Sequence, residues 1–236
     1  MNTLLYNAII TQEGHTFNGY IIIDGDTIET VAEGRPDDDM LNDDTLTAID
    51  CEGDILMPGA IDTHVHFRDP GLTAKGDIDT ESHAAVAGGV TSYIEMPNTK
   101  PATVTIEAWN DKMNRAAQVS AANYAFFIGA TNDNLPTLLK ADYSRVPGIK
   151  LFMGSSTGNM LVDNEAMLDN LFALSPALIM VHAEDEDTIR ANKARIETQY
   201  PEGNVPLTLH SVMRSTEACI KASRHAVELA RRHNAR

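Results

Sequence analysis

The chain has 236 residues, 43% hydrophobic and 22% charged, enough for one large domain or a medium domain with a small companion. That composition excludes intrinsic disorder. Lys and Arg number 18 against 34 Asp and Glu, a formal net charge of −16, which disfavours nucleic acid or an anionic membrane surface as partner because both need a basic face.

Cys51 and Cys219 lie far apart in no CxxC pattern, so neither a disulfide framework nor a cysteine zinc site is expected, and a reducing cytoplasm is the default. The opening MNTLLYNAIITQEGHTF lacks the basic and long apolar regions of a secretory signal. No stretch approaches the ~18 uninterrupted apolar residues of a membrane span.

In chain order, residues 1–54 read as short strands. LLYNAII and GYIIIDGDTIETV are β-rich, with Asp24-Gly25 placed as in a hairpin turn. The acidic stretch EGRPDDDMLNDDT reads as a solvated loop. From residue 55 to 236 the rhythm changes to strand and helix in alternation. DILMPGAIDTHVHF precedes the helix-like DIDTESHAAVAGG with its Gly-Gly stop. The strands VTSYIEMPN, NYAFFIGAT, GIKLFMG and ALIMVHAED follow. They alternate with helices over TIEAWNDKMNRAAQVSA, around NLPTLLKADYSRV, NEAMLDNLFAL and DEDTIRANKARIETQY, and STEACIKASRHAVELARRHNA is the last helix. Nearly all-apolar strands in such alternation predict a parallel sheet buried on both faces.

The strand ends carry the chemistry. His64 and His66 lie two apart on a strand, so their rings share a face and can chelate one ion, zinc or a similar divalent metal. Asp62 shares that face and is placed to orient an imidazole. Arg68 follows, Asn98 ends the next strand, and His182 ends the fifth. Lys150, inside an apolar strand, either snorkels to the strand end or has a shifted pKa; a neutral amine there could take up CO2 as a carbamate. Polar residues converging from several strand ends are the arrangement of a barrel enzyme rather than of an open nucleotide-binding sheet. His15, His83, His210, His225 and His233 fall in presumed loops or helices and read mostly as surface residues.

Taken together, DTHVHFRDPG, AAVAGGVTSYIEMPNT, GIKLFMGSSTGNM and VHAED resemble the dihydroorotases of the cyclic amidohydrolase superfamily. The resemblance implies an α/β fold, a metal-dependent hydrolase TIM-type (β/α)8 barrel. About its first five βα units span residues 55–236, and residues 1–54 supply N-terminal strands of a small β-sandwich domain. It implies two zinc ions bound by His64, His66 and His182, with Lys150 as an N6-carboxylated bridge, and a substrate carboxylate gripped by Arg68 and Asn98. The implied reaction is the interconversion of N-carbamoyl-L-aspartate and L-dihydroorotate in pyrimidine biosynthesis, in a cytoplasmic homodimer with no nucleic-acid or membrane partner. A further metal histidine on strand six and a catalytic aspartate on strand eight have no counterpart up to Arg236, so the chain is read as part of a longer enzyme. A hydantoinase or dihydropyrimidinase type, which lacks the arginine, and a non-catalytic scaffold are the alternatives.

Overall fold

A computed structural model describes residues 2–154 and 160–236; residues 155–159, the SSTGN of the third motif, lie outside the described residues. The chain divides into two compact units, Met1–Gly59 and Ala60–Arg236.

In the first unit β1 (Asn2–Gln12), β2 (His15–Asp24), β3 (Thr27–Glu33) and β4 (Leu46–Asp50) form one sheet in the order β3-β2-β1-β4, and β5 (Ile55–Leu56) also lies along β1. The β2–β3 pairing is antiparallel and closes at Asp24–Thr27, with Gly25 at φ 59, the hairpin that Asp-Gly predicts. Ala8, Ile10 and Ile21 make a small core with Phe17, Ile23, Cys51 and Leu56 packed against it. The acidic stretch is not loop throughout: it holds a one-turn helix, α1 (Asp38–Leu41), capped where the Asp37 carboxylate accepts the Met40 amide at 2.8 Å.

The second unit begins with β6 (Ala60–Val65), β7 (Val90–Glu95) and β8 (Asn123–Phe126), all parallel. A second parallel ladder holds β9 (Ile128–Gly129), β10 (Ile149–Phe152) and β11 (Ile179–His182). Phe127 joins β8 to β9: its amide reaches the Glu95 carbonyl at 3.1 Å, while the next amide, of Ile128, reaches Gly148 at 3.4 Å. One bent strand therefore serves both ladders, and the strands run side by side in sequence order, an arc of a barrel.

The helices α2 (Ile78–Ala87), α3 (Ile106–Val119), α4 (Leu135–Leu138), α5 (Glu165–Leu174), α6 (Glu186–Glu197), α7 (His210–Met213) and α8 (Thr216–His233) follow the strands. α2 begins at the Asp77 cap and stops at Gly88 and Gly89, the latter at φ 84. α4, expected as a longer helix, is a single turn, because Asp142 accepts the Ser144 amide at 3.0 Å and starts a separate turn. The core lies between sheet and helices, where Tyr93, Phe126, Ile128, Ile149 and Leu151 meet Trp109, Leu168 and Leu171. The expectation of strands buried on both faces holds for β10, where every residue is buried, and fails for β6, which is largely exposed. Its reason is position: among the described residues β6 pairs only with β7. Among the described residues no helix is long and apolar enough to cross a membrane.

Candidate active site

Strand alternation sorts the side chains of β6 and its extension. Phe67 packs on Tyr93 in the core, with ring centroids 4.5 Å apart, so His64 and His66 point to the opposite face. Their own rings are 5.4 Å apart. Burial is the first cause that lowers the pKa of His64; Lys150 and His182 lower it further, and Asp62 opposes them. His66 is pushed down to about 4, by burial first and then by Arg68 and His64, against a hydrogen bond with Asn98. Both imidazoles are thereby kept neutral near pH 7, the form that binds a metal. Asp62 shares the face as expected, but its carboxylate accepts the His64 backbone N–H at 3.0 Å, so it braces the strand rather than a ring.

Lys150 sits on β10 between Ile149 and Leu151, which both enter the core, and so projects to the histidine side. It is 1% exposed, with Nζ 5.0 Å from the centre of the Phe152 ring. Burial lowers its pKa to about 8. The side chain does not snorkel to water: it is enclosed beside Phe152. Among the described residues no carboxylate forms an ion pair with it.

His182 ends β11 in register with Phe152 at the end of β10, with ring centroids 6.0 Å apart. Its Nε2 lies 2.8 Å from Glu184 Oε2. Arg214 donates from Nε to Glu184 Oε1 at 3.0 Å and from its terminal nitrogen to Oε2. Burial raises the Glu184 pKa, but hydrogen bonds from Arg214 and His182 outweigh it and leave the carboxyl ionised more easily than usual. This Arg214–Glu184–His182 chain fixes the ring and leaves Nδ1 for a ligand. Glu184 is visible in VHAED, two residues beyond the histidine. Arg214 carries no local signal, since its partner lies thirty residues away.

The loop after His66 is held tightly. Arg68 adopts φ 69, a left-handed conformation rare outside glycine. Gly71 (φ 82) lies so close to Lys100 that a Cβ would stand 1.8 Å from its carbonyl oxygen. Elsewhere, His83 pairs with Asp79, His225 with Glu165 and His233 with Asp169, as helix-surface residues, and His210 is exposed on α7.

The donors suit a divalent metal in kind: two neutral imidazoles two residues apart, a third braced by a carboxylate, and a buried amine of lowered pKa. Among the described residues no three His, Cys, Asp or Glu side chains are gathered closely enough to hold an ion by themselves.

The dihydro-orotase-like family pattern matches residues 53–203. A dihydroorotase of Thermococcus kodakarensis is 30% identical over 196 residues, which cover 83% of this chain and 44% of that protein. One of Methanosarcina acetivorans is 35% identical over 185 residues, 77% of this chain and 38% of the relative. An L-hydantoinase of Paenarthrobacter aurescens is 34% identical over 154 residues, 63% of this chain and 34% of the relative. Among solved structures, an L-hydantoinase (dihydropyrimidinase) from Arthrobacter aurescens superposes with a TM-score of 0.88 at 25% identity, over 99% of this chain and 51% of that one. A dihydropyrimidinase from Brevibacillus agri shares the fold at a TM-score of 0.82 and 23% identity, with 100% and 51% coverage. The chain thus spans less than half the length of these curated relatives. Motif order, barrel topology and the match over residues 53–203 agree, and the chain belongs to the dihydro-orotase-like family.

Proposed function

We propose that this chain carries the metal-binding and carboxylate-binding half of a zinc-dependent cyclic amide hydrolase that interconverts N-carbamoyl-L-aspartate and L-dihydroorotate. The observation that carries the reading is that Lys150 on β10 and His182 at the end of β11 both act on His64 at the end of β6, with Arg68 and Asn98 acting on His66. His64, His66 and His182 would hold zinc, two ions per site, and Lys150 as its N6-carboxylate would bridge them. A buried amine whose pKa is lowered to about 8 has a reactive neutral fraction at physiological pH, which is what uptake of CO2 requires. When bound, the metal supplies Lewis acidity toward a ring carbonyl and lowers the pKa of water in the site.

The chain's own residues orient and discriminate. The Arg68 guanidinium fork fits a substrate carboxylate in two-point fashion, and Asn98 completes the grip beside His66. Glu184 and Arg214 hold the His182 ring in one orientation. The general acid and base of the reaction are not assigned among these residues. A cytoplasmic homodimer acting in pyrimidine synthesis belongs to the same reading.

The test is dihydroorotate ring opening by the chain supplied with zinc and bicarbonate, together with its zinc content after dialysis. Turnover, or tight zinc with saturable dihydroorotate binding, should fall at least about 100-fold in Arg68→Ala, the scale expected when a bidentate carboxylate contact is lost. Folded chain that retains neither zinc nor ligand would sink the reading. The likeness to L-hydantoinases supports a second reading, an uncharged cyclic amide as substrate, for which Arg68→Ala should matter little.

A further inference from the structure

Two buried carboxylates lie directly beneath the Arg68 turn. Glu95, the last residue of β7, is 0% exposed, and its Oε1 accepts the Arg68 backbone N–H at 3.0 Å. Its other oxygen is 2.7 Å from Lys112 Nζ, on α3, itself 2% exposed. Lys112 also donates to the Met96 carbonyl at 3.2 Å and lies 4.9 Å from the Phe126 ring centre. The next residue of the turn, Asp69, is buried too: its Oδ2 receives Arg115 Nε at 3.2 Å. Lys112 and Arg115 are three apart on α3 and so present both cations to the turn from one helix face.

Stability is a poor reason for such a pair. Burial pushes the Glu95 pKa up and the Lys112 pKa down, each against the attraction of the other. Well-packed apolar residues in place of a buried ion pair are often as stable or more so, which leaves geometric specificity as the better-attested use. Here the geometry has an evident need: Arg68 must be kept at φ 69, where an L-residue does not rest unaided.

We propose that Glu95, backed by Lys112, is the positioning residue that sets Arg68 and thereby the preference for a carboxylated ring. The inference rests on the reading of Arg68 as the carboxylate-binding residue. Glu95 touches no substrate; it acts through the backbone amide of the residue that does. The carboxyl supplies an acceptor where the turn needs one, and Lys112, 2.7 Å from its other oxygen, holds that carboxyl in place.

The experiment uses the full chain with zinc and bicarbonate, and three forms of it: wild type, Glu95→Leu with Lys112→Met, and Glu95→Gln with Lys112→Met. The first pair removes both charges without stranding either, so it is the variant most apt to fold. The second keeps an amide oxygen for the Arg68 N–H and no net charge. Two readouts are taken: hydrogen exchange of the Arg68 amide, and binding of L-dihydroorotate against 5,6-dihydrouracil, the same ring without its carboxylate. In the Leu/Met pair the Arg68 amide should exchange at least about tenfold faster, and dihydroorotate affinity should fall about tenfold with dihydrouracil unchanged, the scale of one lost positioning contact. The Gln/Met pair should restore both. A merely structural role would weaken the two rings alike and gain nothing from glutamine.

Unchanged exchange at Arg68, or full discrimination in the Leu/Met pair, would overturn the inference. A wild type that itself prefers neither ring would instead overturn the carboxylate reading on which it rests.

Discussion

Lys150 is the residue at which sequence and environment disagree most. Its folded pKa is about 8 against an ordinary 10.5, so below pH 8 both folded and unfolded chains carry the proton and the folded state bears the whole burial penalty. Between about pH 8 and 10.5 the unfolded chain binds more protons, and stability rises with pH. Lys150→Met should therefore stabilise the metal-free, bicarbonate-free chain at pH 7 by on the order of 3 kcal/mol, from about 1.4 kcal/mol per pKa unit. It should also flatten the rise between pH 8 and 10.5. Urea midpoints at pH 7 and pH 10 for both forms check this; equal slopes would refute it. The residue's identity and strand were legible in GIKLFMG, but its burial was not, since that depends on Gly129 and Met180 flanking it on neighbouring strands.

At the scale of elements, β10 and β11 must approach closely for Lys150 and His182 to share a face. Gly154 permits this: a Cβ there would stand 2.5 Å from the Glu184 carbonyl oxygen and 2.8 Å from its amide nitrogen, both backbone atoms that cannot turn away. Gly154→Ala should part the two strand ends, loosen the Arg214–Glu184–His182 chain and destabilise the chain by about 1–3 kcal/mol. A urea midpoint at the wild-type value would show that the strands tolerate the spread. Helix α3 shows the complementary case. Its start is legible in Thr105, whose hydroxyl accepts the Ala108 amide at 3.1 Å, and Trp109 anchors it by donating to the Phe126 carbonyl at 2.8 Å. Thr105→Ala should cost about 1 kcal/mol of stability, read in the same denaturation. Helical spacing sets Lys112 on the same face as Trp109 and Ala116, but its partner Glu95 lies on another element and has no local signal.

For the whole molecule, the exposed side of β6 is the main liability. Ile61 is 66% exposed on a strand paired only with β7 among the described residues. A free strand edge with exposed apolar side chains invites pairing with another chain. The purified chain should self-associate at micromolar concentration, and Ile61→Lys should shift it toward monomer in sedimentation velocity. A wild type that stays monomeric at about 100 μM would contradict this. The net charge of −16 opposes such association, and added salt, by screening it, should favour the larger species.

The order of elements and the residues proposed to bear the chemistry were legible in the sequence. Strand and helix alternation, the HxH pair, Arg68, Asn98 and the motifs around Lys150 and His182 are all local patterns, readable because side-chain period and capping act over a few residues. Tertiary structure alone decided which of them act on one another. It bent one strand at Phe127 to serve two ladders, exposed β6 while burying β10, turned Asp62 to its own backbone, and brought Arg214 to Glu184 and Lys112 to Glu95. Those outcomes depend on contacts between residues far apart in the chain, where burial and charge sum over several neighbours and no single segment carries the information.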